Sequence, residues 1–397
     1  MKTTVAAIDF GTSKIVTLIA DNSGNLRCDI VGAGIAAYDG YMSDGWNNPA
    51  QVNERIQASI ADAERQCKRR IRDVNIGVPA SFTRAYSTEV TVELKGTDPR
   101  VTPADVKQAF RAAEEKIGAV NGIKVHATPA WFVIDNGKKT LEPVGKSGRE
   151  LKAMISFVFA DHFFVDDVTL RLGDMGYVVA GVFATAPGEM MLFLPEEERD
   201  HTAVLIDIGY LTTDVMIAEG DALVYLETID IGGGNIAADL AYGLECTLDQ
   251  AEERVKRLFV YGVESAGETY DLPPVDGQPG RSFTRAEVTR IIEPRIEEIA
   301  DEIKAAIKRS GVKLGNWSSY YMTGGGLSFN RGGFKFLGQK LGQTVKETPK
   351  RTAKLNSHAY SSALGLMDLI IDTIEIKNRQ PIKEGKVKGF FRSLLGG

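Results

Sequence analysis

The beginning of the chain alternates between short apolar runs and polar turns, and then changes to a helical pattern. Val5–Ile8 and Ile15–Ala20 predict two strands joined by the turn DFGTSK, and Leu26–Val31 predicts a third. Pro49–Ile71 predicts a helix, because its apolar residues recur on one face, at Val52, Ile56, Ile60 and Ala63. The opening is therefore typical of a mixed α/β unit.

A second series of elements begins with a strand predicted at Asp73–Val78. Tyr86–Leu94 predicts another strand, Thr102 opens a helix, and a pair of strands is predicted around the DNG turn at Asp135. Leu151–Ala160 predicts a further strand. Beyond these we expect a Gly/Pro-rich loop, a long charged helix and a polar linker, at Tyr261–Gly280, Thr284–Ser310 and 378–385.

The second half of the chain repeats the opening pattern. AVLIDIGYLTTDVMIAEGD has the same plan as VAAIDFGTSKIVTLIADNSG: an apolar strand ending in Asp-x-Gly, a turn with Thr, and another apolar strand. Asp9 and Gly11 thus recur as Asp207 and Gly209. Internal repeats indicate related structural units. We expect two related α/β domains that face each other, each contributing one hairpin.

Composition narrows the class of protein. A chain of 397 residues exceeds the usual size of one core, so two or more domains are expected. The net charge of −6 gives no general reason to expect nucleic-acid binding. The 3 cysteines and 4 histidines show no disulfide or metal-ligand spacing. Without a signal peptide or a run of roughly 18 apolar residues, a cytoplasmic protein is expected.

The paired hairpins carry side chains that suit a nucleotide and its metal ion. Asp9 and Asp207 each end a strand just before a glycine turn, and their carboxylates suit a hydrated Mg²⁺. Lys14 can place a point charge on the phosphates. One such turn is usually an ordinary hairpin, whereas two indicate an ATP site. The N–H groups and hydroxyls of the turns suit phosphate oxygens, and they belong to Gly11, Thr12, Ser13, Gly209, Thr212 and Thr213.

Two glycine-rich segments are candidates for close approach to the nucleotide. Gly324, Gly325 and Gly326 follow a predicted strand, and the absence of side chains permits the approach that an adenosine requires. Gly233 and Gly234 lie at a strand–helix junction, where N–H groups can bind phosphate. For that junction, tight packing is an equal alternative.

These segments, in this order, resemble the motifs of the actin/Hsp70/sugar-kinase superfamily over about residues 1–375. The resemblance implies an α/β, actin-like (ribonuclease H-like) two-domain fold with ATP and Mg²⁺ in the interdomain cleft. Ala363 and Gly365 would let two helices cross closely at a hinge. The two phosphate motifs correspond to Asp9–Lys14 and Ile206–Asp214, and the adenosine motif corresponds to Met322–Gly326. The first connecting motif corresponds to Gly77–Ala85 and the second to Ser361–Met367.

Within the superfamily, the chain resembles the bacterial cell-division FtsA family. Actin and MreB insert a subdomain before the first long helix, whereas here the extra material, about Tyr86–Phe163, follows the first connecting motif, as in FtsA. AAYDGYMSDG and WFVIDNGKKTLEPVG are similar to that family, as is the spacing of Glu253 and Lys256 at its adenosine site. The sequence after Gly326 matches poorly, so the resemblance is to a divergent member.

The resemblance also implies domain boundaries and partners. The boundaries are subdomain 1A at 1–85 and 164–199, 1C at 86–163, 2A at 200–246 and 313–377, and 2B at 247–312, followed by a linker at 378–385 and a tail helix at 386–397. The implied protein polymerises at the cytoplasmic face of the membrane at the division site and tethers the ring of tubulin-like FtsZ. We expect FtsZ to dock on 2B, and 1C to be an assembly surface.

Two other functions remain as alternatives. One is a pilus-assembly-type actin-like adaptor, which shares the displaced subdomain, and the other is a small-molecule kinase, for which the sequence offers no obvious base. We do not expect an Hsp70-type chaperone, because the residues after 375 do not have the pattern of a substrate-binding domain. Filament-forming relatives orient water with a Gln or Glu near the first connecting motif, and GVPASFTRA contains neither. We therefore assign no catalytic residue and expect slow ATP turnover at most.

The end of the chain, GKVKGFFRSLLGG, has the pattern of a basic amphipathic helix. A polar linker precedes it, which disfavours packing on the protein's own core. An anionic membrane surface would bury its apolar face and attract its basic residues. The apolar face contains Val387, Phe390, Phe391, Leu394 and Leu395, and the basic residues are Lys386, Lys388 and Arg392.

Overall fold

The computed structural model describes residues 3–22, 28–263, 267–274, 279–350 and 355–378. Its strands are β1 (Thr3–Phe10), β2 (Lys14–Asn22), β3 (Cys28–Ala37), β4 (Tyr41–Met42), β5 (Gly45–Trp46), β6 (Asp73–Val78), β7 (Thr83–Glu93), β8 (Ile123–Ile134), β9 (Glu150–Ala160), β10 (Val178–Ala184), β11 (Ala203–Ile208), β12 (Thr213–Glu219), β13 (Ala222–Ile229), β14 (Thr269–Leu272), β15 (Arg281–Thr284), β16 (Ser319–Thr323) and β17 (Val345–Glu347). Its α-helices are α1 (Pro49–Cys67), α2 (Pro103–Ile117), α3 (His162–Asp174), α4 (Thr185–Phe193), α5 (Glu196–Arg199), α6 (Gly233–Gly243), α7 (Leu248–Gln250), α8 (Arg285–Arg309), α9 (Gly325–Ser328), α10 (Gly333–Leu341) and α11 (Ser361–Asn378).

The first half is built on a five-stranded sheet with the order β10–β6–β1–β2–β3. β1 pairs antiparallel with β2 and parallel with β6, so an opening hairpin is followed by a crossover connection. Helices α1 and α3 cover one face of this sheet, and Phe164 and Val168 of α3 are buried there. The apolar face predicted for α1 is fully buried in the same core, at Val52, Ile56, Ile60 and Ala63.

The second half repeats this topology. Its sheet has the order β13–β12–β11–β16–β17, in which β11 pairs antiparallel with β12 and parallel with β16. Each strand of the first sheet therefore has a counterpart at the equivalent position of the second sheet. The central strands are β1 and β11, respectively. The sequence repeat predicted from the two Asp-x-Gly hairpins is confirmed as a repeat of the fold.

An inserted subdomain follows β6 and contains a sheet of order β7–β9–β8 together with α2. Thr102 caps α2 as predicted, since its hydroxyl accepts from the N–H of Asp105 at 3.3 Å. The strands run from Thr83 to Ala160, compared with the expected 86–163. The expected strand directly after the DNG turn is wrong, because β9 begins only at Glu150.

The inserted subdomain also packs against the second half. Ser87 Oγ donates to the carbonyl of Val224 at 3.1 Å, and Ser156 Oγ donates to the carbonyl of Leu223 at 2.5 Å. Both carbonyls belong to β13, the edge strand of the second sheet. Lys139 forms an ion pair with Glu219 in the same region. The insertion therefore connects the two halves, although it is covalently part of the first.

A smaller group of elements packs beside the second sheet and contains α6, α8 and the β14–β15 pair. The long charged helix is confirmed as α8, one face of which is buried. The expectation of a loop at Tyr261–Gly280 is wrong where the chain forms β14, whose Tyr270 and Leu272 are buried in the core. Arg295 of α8 is held by Asp239 of α6 through two hydrogen bonds of 2.6 and 2.9 Å.

The predicted tail helix at 386–397 and the linker after Asn378 lie outside the described residues. In the part of the chain that the structure does describe, no helix is both long enough and apolar enough to cross a membrane.

Candidate functional site

The two Asp-x-Gly hairpins meet in the cleft between the halves. In the first turn the N–H of Gly11 donates to the carbonyl of Lys14 at 3.0 Å, and in the second the N–H of Gly209 donates to the carbonyl of Thr212 at 2.8 Å. The turns also contact each other, since the N–H of Leu211 donates to Thr12 Oγ1 at 3.0 Å. Both phosphate turns therefore face one small space.

Two carboxyl groups and one ammonium group project into this space from the ends of β1, β11 and the first turn. Desolvation by the surrounding protein raises the pKa of Asp9 to about 6, although Ser362 Oγ donates to its Oδ1 at 2.8 Å and Lys14 lies near. Desolvation likewise raises the pKa of Asp207 to about 6. The pKa of Lys14 is lowered by desolvation, and its Nζ lies 5.2 Å from the ring centre of Tyr360.

Two more carboxyl groups lie behind the first pair. Desolvation and the charge of Asp207 raise the pKa of Asp214 to about 7, while Thr228 Oγ1 donates to it at 2.6 Å. Burial raises the pKa of Glu189 well above its ordinary value. The cleft therefore concentrates carboxyl groups that repel one another and favour a bound cation.

The donor set fits Mg²⁺. Asp207 Oδ1 is buried without a hydrogen-bond partner. Carboxylate oxygens are preferred ligands of Mg²⁺, which usually binds one or two carboxylates and completes its shell with water and phosphate oxygens. The described residues contain no group of three or more His, Cys, Asp or Glu side chains arranged around a metal position.

A cavity of about 160 Å³ lies between the hairpins. This is smaller than the roughly 300–1,000 Å³ of most small-molecule pockets. Ten predicted residues line it: Asp9, Gly11, Thr12, Ser13, Lys14, Asp207, Gly209, Lys256, Gly324 and Gly325. Gly324 has a φ of +95°, and a Cβ there would overlap Asp207 Oδ1. Only glycine therefore suits this position beside the carboxylate.

Five other predicted residues are not among those that line the cavity: Thr212, Thr213, Gly233, Gly234 and Gly326. Thr213 Oγ1 donates to the carbonyl of Ile231 at 2.7 Å. A Cβ on Gly233 would lie 2.6 Å from the carbonyl carbon of Gly326, so these two glycines permit backbone contact with each other. The surroundings of Gly233 and Gly234 thus agree with the alternative that these glycines permit tight packing.

The structure places Glu253 away from the cavity. Its carboxylate pairs with Arg257 at the surface, whereas Glu252 lines the cavity and accepts from Lys256 Nζ at 2.8 Å. A π-helical turn at Ala251–Val255 accounts for the difference, because it shifts the helix register within the motif. Lys256 is only 3 % exposed, and desolvation lowers its pKa.

Several lining residues were not predicted from the sequence: Tyr210, Glu252, Arg257, Phe329, His358, Ala359 and Ser362. The guanidinium carbon of Arg257 lies 5.3 Å from the ring centre of Phe329, which places a cation over an aromatic face at the rim. Ser362 could have been found, because it belongs to the connecting motif at Ser361–Met367. The others come together only through the fold.

The close helix crossing expected at Gly365 is formed by α11 and α4. The segment Gly77–Ala85 forms the end of β6 and the start of β7. A Cβ on Gly365 would lie 2.5 Å from Cα of Glu189, and one on Gly188 would lie 2.7 Å from the carbonyl carbon of Gly365. Gly365 therefore has the predicted role of permitting close crossing. Helix α4 also contains a carboxylate, that of Glu189, whereas the segment GVPASFTRA contains none.

Known families match both the second half and the insertion. A family model described as cell division protein FtsA matches residues 204–365, and one described as the SHS2 domain inserted in FtsA matches residues 81–159. The cell division protein FtsA of Pseudomonas aeruginosa is 26% identical, over 81% of this chain and 77% of that protein. FtsA of Neisseria meningitidis serogroup B is 25% identical, over 91% of this chain and 89% of that protein.

Solved structures share the architecture. The PilM–PilN type IV pilus biogenesis complex has a TM-score of 0.61 at 18% identity, covering 92% of this chain and 98% of that one. MreB5 of Spiroplasma citri, bound to AMPPNP, has a TM-score of 0.52 at 12% identity, covering 94% and 98%. These likenesses show an actin-like fold. Together with the FtsA-specific matches, they identify this chain as an FtsA-type, actin-like cell-division protein.

Proposed function

We propose that the protein binds ATP–Mg²⁺ in the cleft, polymerises, and tethers an FtsZ ring to the cytoplasmic face of the membrane at the division site. The observation that carries the nucleotide site is the meeting of two equivalent Asp-x-Gly turns around Lys14. Each turn is preceded by a carboxylate, and both turns line the same cavity. Donor groups suit the phosphate oxygens of a nucleotide, and carboxylates suit its Mg²⁺ ion.

Each part of the nucleotide has a proposed place. The N–H groups of the turns and Lys14 would hold the phosphates, and Asp9 and Asp207 would bind Mg²⁺ through water. Bound Mg²⁺ would neutralise the phosphate charge and relieve repulsion between these carboxyl groups. Glu252 and Lys256 reach the far end of the cavity, where they would contact the ribose, beside Gly324 and Gly325. Turnover would be slow, with the nucleotide acting mainly as a structural switch.

Calorimetric titration with ATP, with and without Mg²⁺, tests the site. Asp9→Ala and Asp207→Ala should each weaken Mg²⁺-dependent binding by about tenfold or more, equivalent to roughly 1.4 kcal/mol. Asp98→Ala is a matched control, because Asp98 is exposed in the inserted subdomain. Unchanged affinity in both cleft variants would refute the assignment.

The partner site for FtsZ is proposed on the exposed face of α8. Arg290 is exposed, whereas Arg295 is engaged with Asp239 and therefore supports the packing of α8 on α6. The informative substitution is Arg290→Glu, which should reduce co-pelleting with FtsZ polymers while ATP affinity stays unchanged. Undiminished co-pelleting would move the partner site elsewhere.

Membrane attachment is proposed for the tail at 386–397, as the sequence pattern indicates. A single tail should bind weakly and reversibly, and polymerisation should strengthen attachment by presenting many tails together. Changing Phe390 and Phe391 to Glu should release the protein from anionic liposomes without altering ATP affinity. Liposome co-sedimentation equal to that of the unchanged chain would refute the anchor.

A further inference from the structure

The C-terminal end of α1 carries an exposed cluster of basic side chains. The chain leaves the helix through Lys68, whose backbone is left-handed with a φ of +56°, and reaches β6 at Asp73. Between residues 65 and 73, Asp73 is the one exposed acid. A helix dipole accounts for a basic residue in the last turn, but not for several more beyond the end of the helix. The basic cluster consists of Arg65, Lys68, Arg69, Arg70 and Arg72, all exposed.

Two acids that pair with the cluster lie beneath it. Arg69 Nη1 lies 2.5 Å from Asp21 Oδ1, and the side chain of Asp21 is 5% exposed. Arg70 Nη1 lies 2.6 Å from Glu64 Oε2, and the side chain of Glu64 is 6% exposed, compared with 89% for Arg70. The N–H of Ile71 also donates to Glu64 at 2.8 Å, which holds the loop in place. The cluster therefore has a fixed backbone and directs its positive charge to solvent.

A shallow recess of about 330 Å³ lies within the cluster, and four of the basic side chains line it, namely Arg65, Lys68, Arg69 and Arg70. A guanidinium group has five N–H donors, so the two that pair with buried acids keep donors for a second acceptor. Guanidinium groups bind phosphate oxygens through paired N–H donors. The recess thus suits a phosphate group that approaches from outside the protein.

The cluster lies at the end of the first sheet that is remote from the cleft. Arg69 Nη1 donates to Thr4 Oγ1 at 3.2 Å, and Thr4 is opposite Asp21 in the pairing of β1 with β2. This is the start of β1, whereas Asp9 and the cleft lie at its other end. A surface that contacts the cluster therefore lies at the opposite end of the sheet from the nucleotide turns.

Helix α11 brings the C-terminal tail to the same end of the sheet. It begins near the cleft, where Ser362 donates to Asp9, and it packs on β1 and β2. With 18 residues α11 is about 27 Å long, close to the ~26 Å of the 8-residue β1. Near its end, Ile374 packs against the core that contains Val5. The linker at 378–385 can span at most roughly 28 Å, so the cluster and the tail can reach one surface together.

We propose that the basic cluster binds the phosphate groups of anionic membrane lipids and, together with the tail, holds the first half with its cleft directed away from the membrane. The inference rests on the proposed attachment of the tail to the membrane. Each basic residue near an anionic surface strengthens binding by roughly fivefold. The cluster thus adds a second contact, distant in sequence, to a tail that binds weakly by itself.

Two substitutions together remove charge from the recess and leave the ion pairs with the buried acids intact. The cluster variant carries Arg65→Gln and Lys68→Gln, and its urea unfolding and ATP affinity should match those of the unchanged chain. The matched control carries Lys107→Gln and Arg111→Gln, which remove two exposed positive charges from α2 of the inserted subdomain.

The measurement is co-sedimentation of the full chain with vesicles of phosphatidylcholine that contain phosphatidylglycerol, and with vesicles of phosphatidylcholine alone. The cluster variant should bind the anionic vesicles about tenfold or more weakly than the unchanged chain, and the two should not differ on the neutral vesicles. The control variant should behave as the unchanged chain does. Undiminished binding of the cluster variant, or equal losses in the cluster and control variants, would overturn the inference.

Two further measurements address other occupants of the cluster. Inorganic phosphate at constant ionic strength should leave binding to the anionic vesicles unchanged, whereas displacement would assign the recess to free phosphate and overturn the inference. Sedimentation without vesicles should be the same for the cluster variant and the unchanged chain, whereas a loss of self-association would assign the cluster to a contact between copies and overturn it as well. Absence of binding to anionic vesicles by the unchanged chain would instead overturn the proposed membrane attachment.

Discussion

Asp214 is a carboxyl group that the fold places beside Asp207, away from bulk water, with Thr228 as its hydrogen-bond donor. Its pKa rises from 3.8 to about 7 in the folded chain. Between these values the native state holds a proton that the unfolded state has lost. The free energy of unfolding should therefore fall as pH rises through this window and level off above it.

The expected magnitude follows from the size of the shift. One pKa unit corresponds to about 1.4 kcal/mol, so ionised Asp214 lowers the free energy of unfolding by up to about 4 kcal/mol near pH 8. Asp214→Asn removes this cost and keeps an oxygen that can accept from Thr228. The variant should exceed the wild type in stability by an amount that grows by about 3 kcal/mol between about pH 5 and pH 8.

Urea unfolding at several pH values, in EDTA so that no divalent ion neutralises the cleft, measures this difference. Because the charge of Asp207 acts on Asp214, the pH dependence of this difference reports the titration of Asp214 together with its coupling to Asp207. Asp98→Asn provides the control, because Asp98 is exposed and should give a constant difference. If the stability curves of Asp214→Asn and wild type stay parallel across the range, the pKa of Asp214 is not raised in the folded chain.

Three further substitutions test other parts of the structure. Gly365→Ala should lower the free energy of unfolding by about 1–3 kcal/mol in urea titrations, because its Cβ would meet the backbone of α4, whereas Gly173→Ala in α3 has open space and should not. Lys256→Met should weaken ATP binding by about tenfold in calorimetry. The control Arg254→Met should leave ATP binding unchanged, and equal effects of the two substitutions would argue against a ribose site at Lys256. Ser156→Ala should cost about 1 kcal/mol in urea unfolding by leaving a carbonyl of β13 unpaired, and no loss would show that the subdomain contact contributes little.

The two Asp-x-Gly hairpins and their repetition along the chain could be predicted because each is encoded in a contiguous segment of the sequence. A strand, an Asp-x-Gly turn and a second strand are contiguous, so Asp9 and Lys14 were placed by short-range geometry. The same holds for Thr102, whose capping interaction spans three residues. Lys256 lines the cavity as predicted, whereas Glu253 does not, because the spacing rule assumes a regular α-helix and the chain forms a π-turn at Ala251–Val255.

Other features depend on contacts between distant segments. The crossing of α4 and α11 brings together Gly188 and Gly365, which no local pattern connects. Strand β14 was taken for a loop because its surroundings are rich in Gly and Pro, yet the burial of Tyr270 against Phe259 favours the extended conformation. Glu189 was missed because its environment is created entirely by tertiary packing.

The contact between the inserted subdomain and β13 has a mechanical consequence. The chain enters and leaves the subdomain at two adjacent points, where the N–H of Asp161 donates to the carbonyl of Phe82 at 2.9 Å. The subdomain is also attached to the second half through Ser87 and Ser156, which face each other on β7 and β9 close to these points. If the halves separate to admit a nucleotide, the subdomain must either release β13 or pivot about this narrow base. Its outer surface would then swing through a larger arc than the cleft opens.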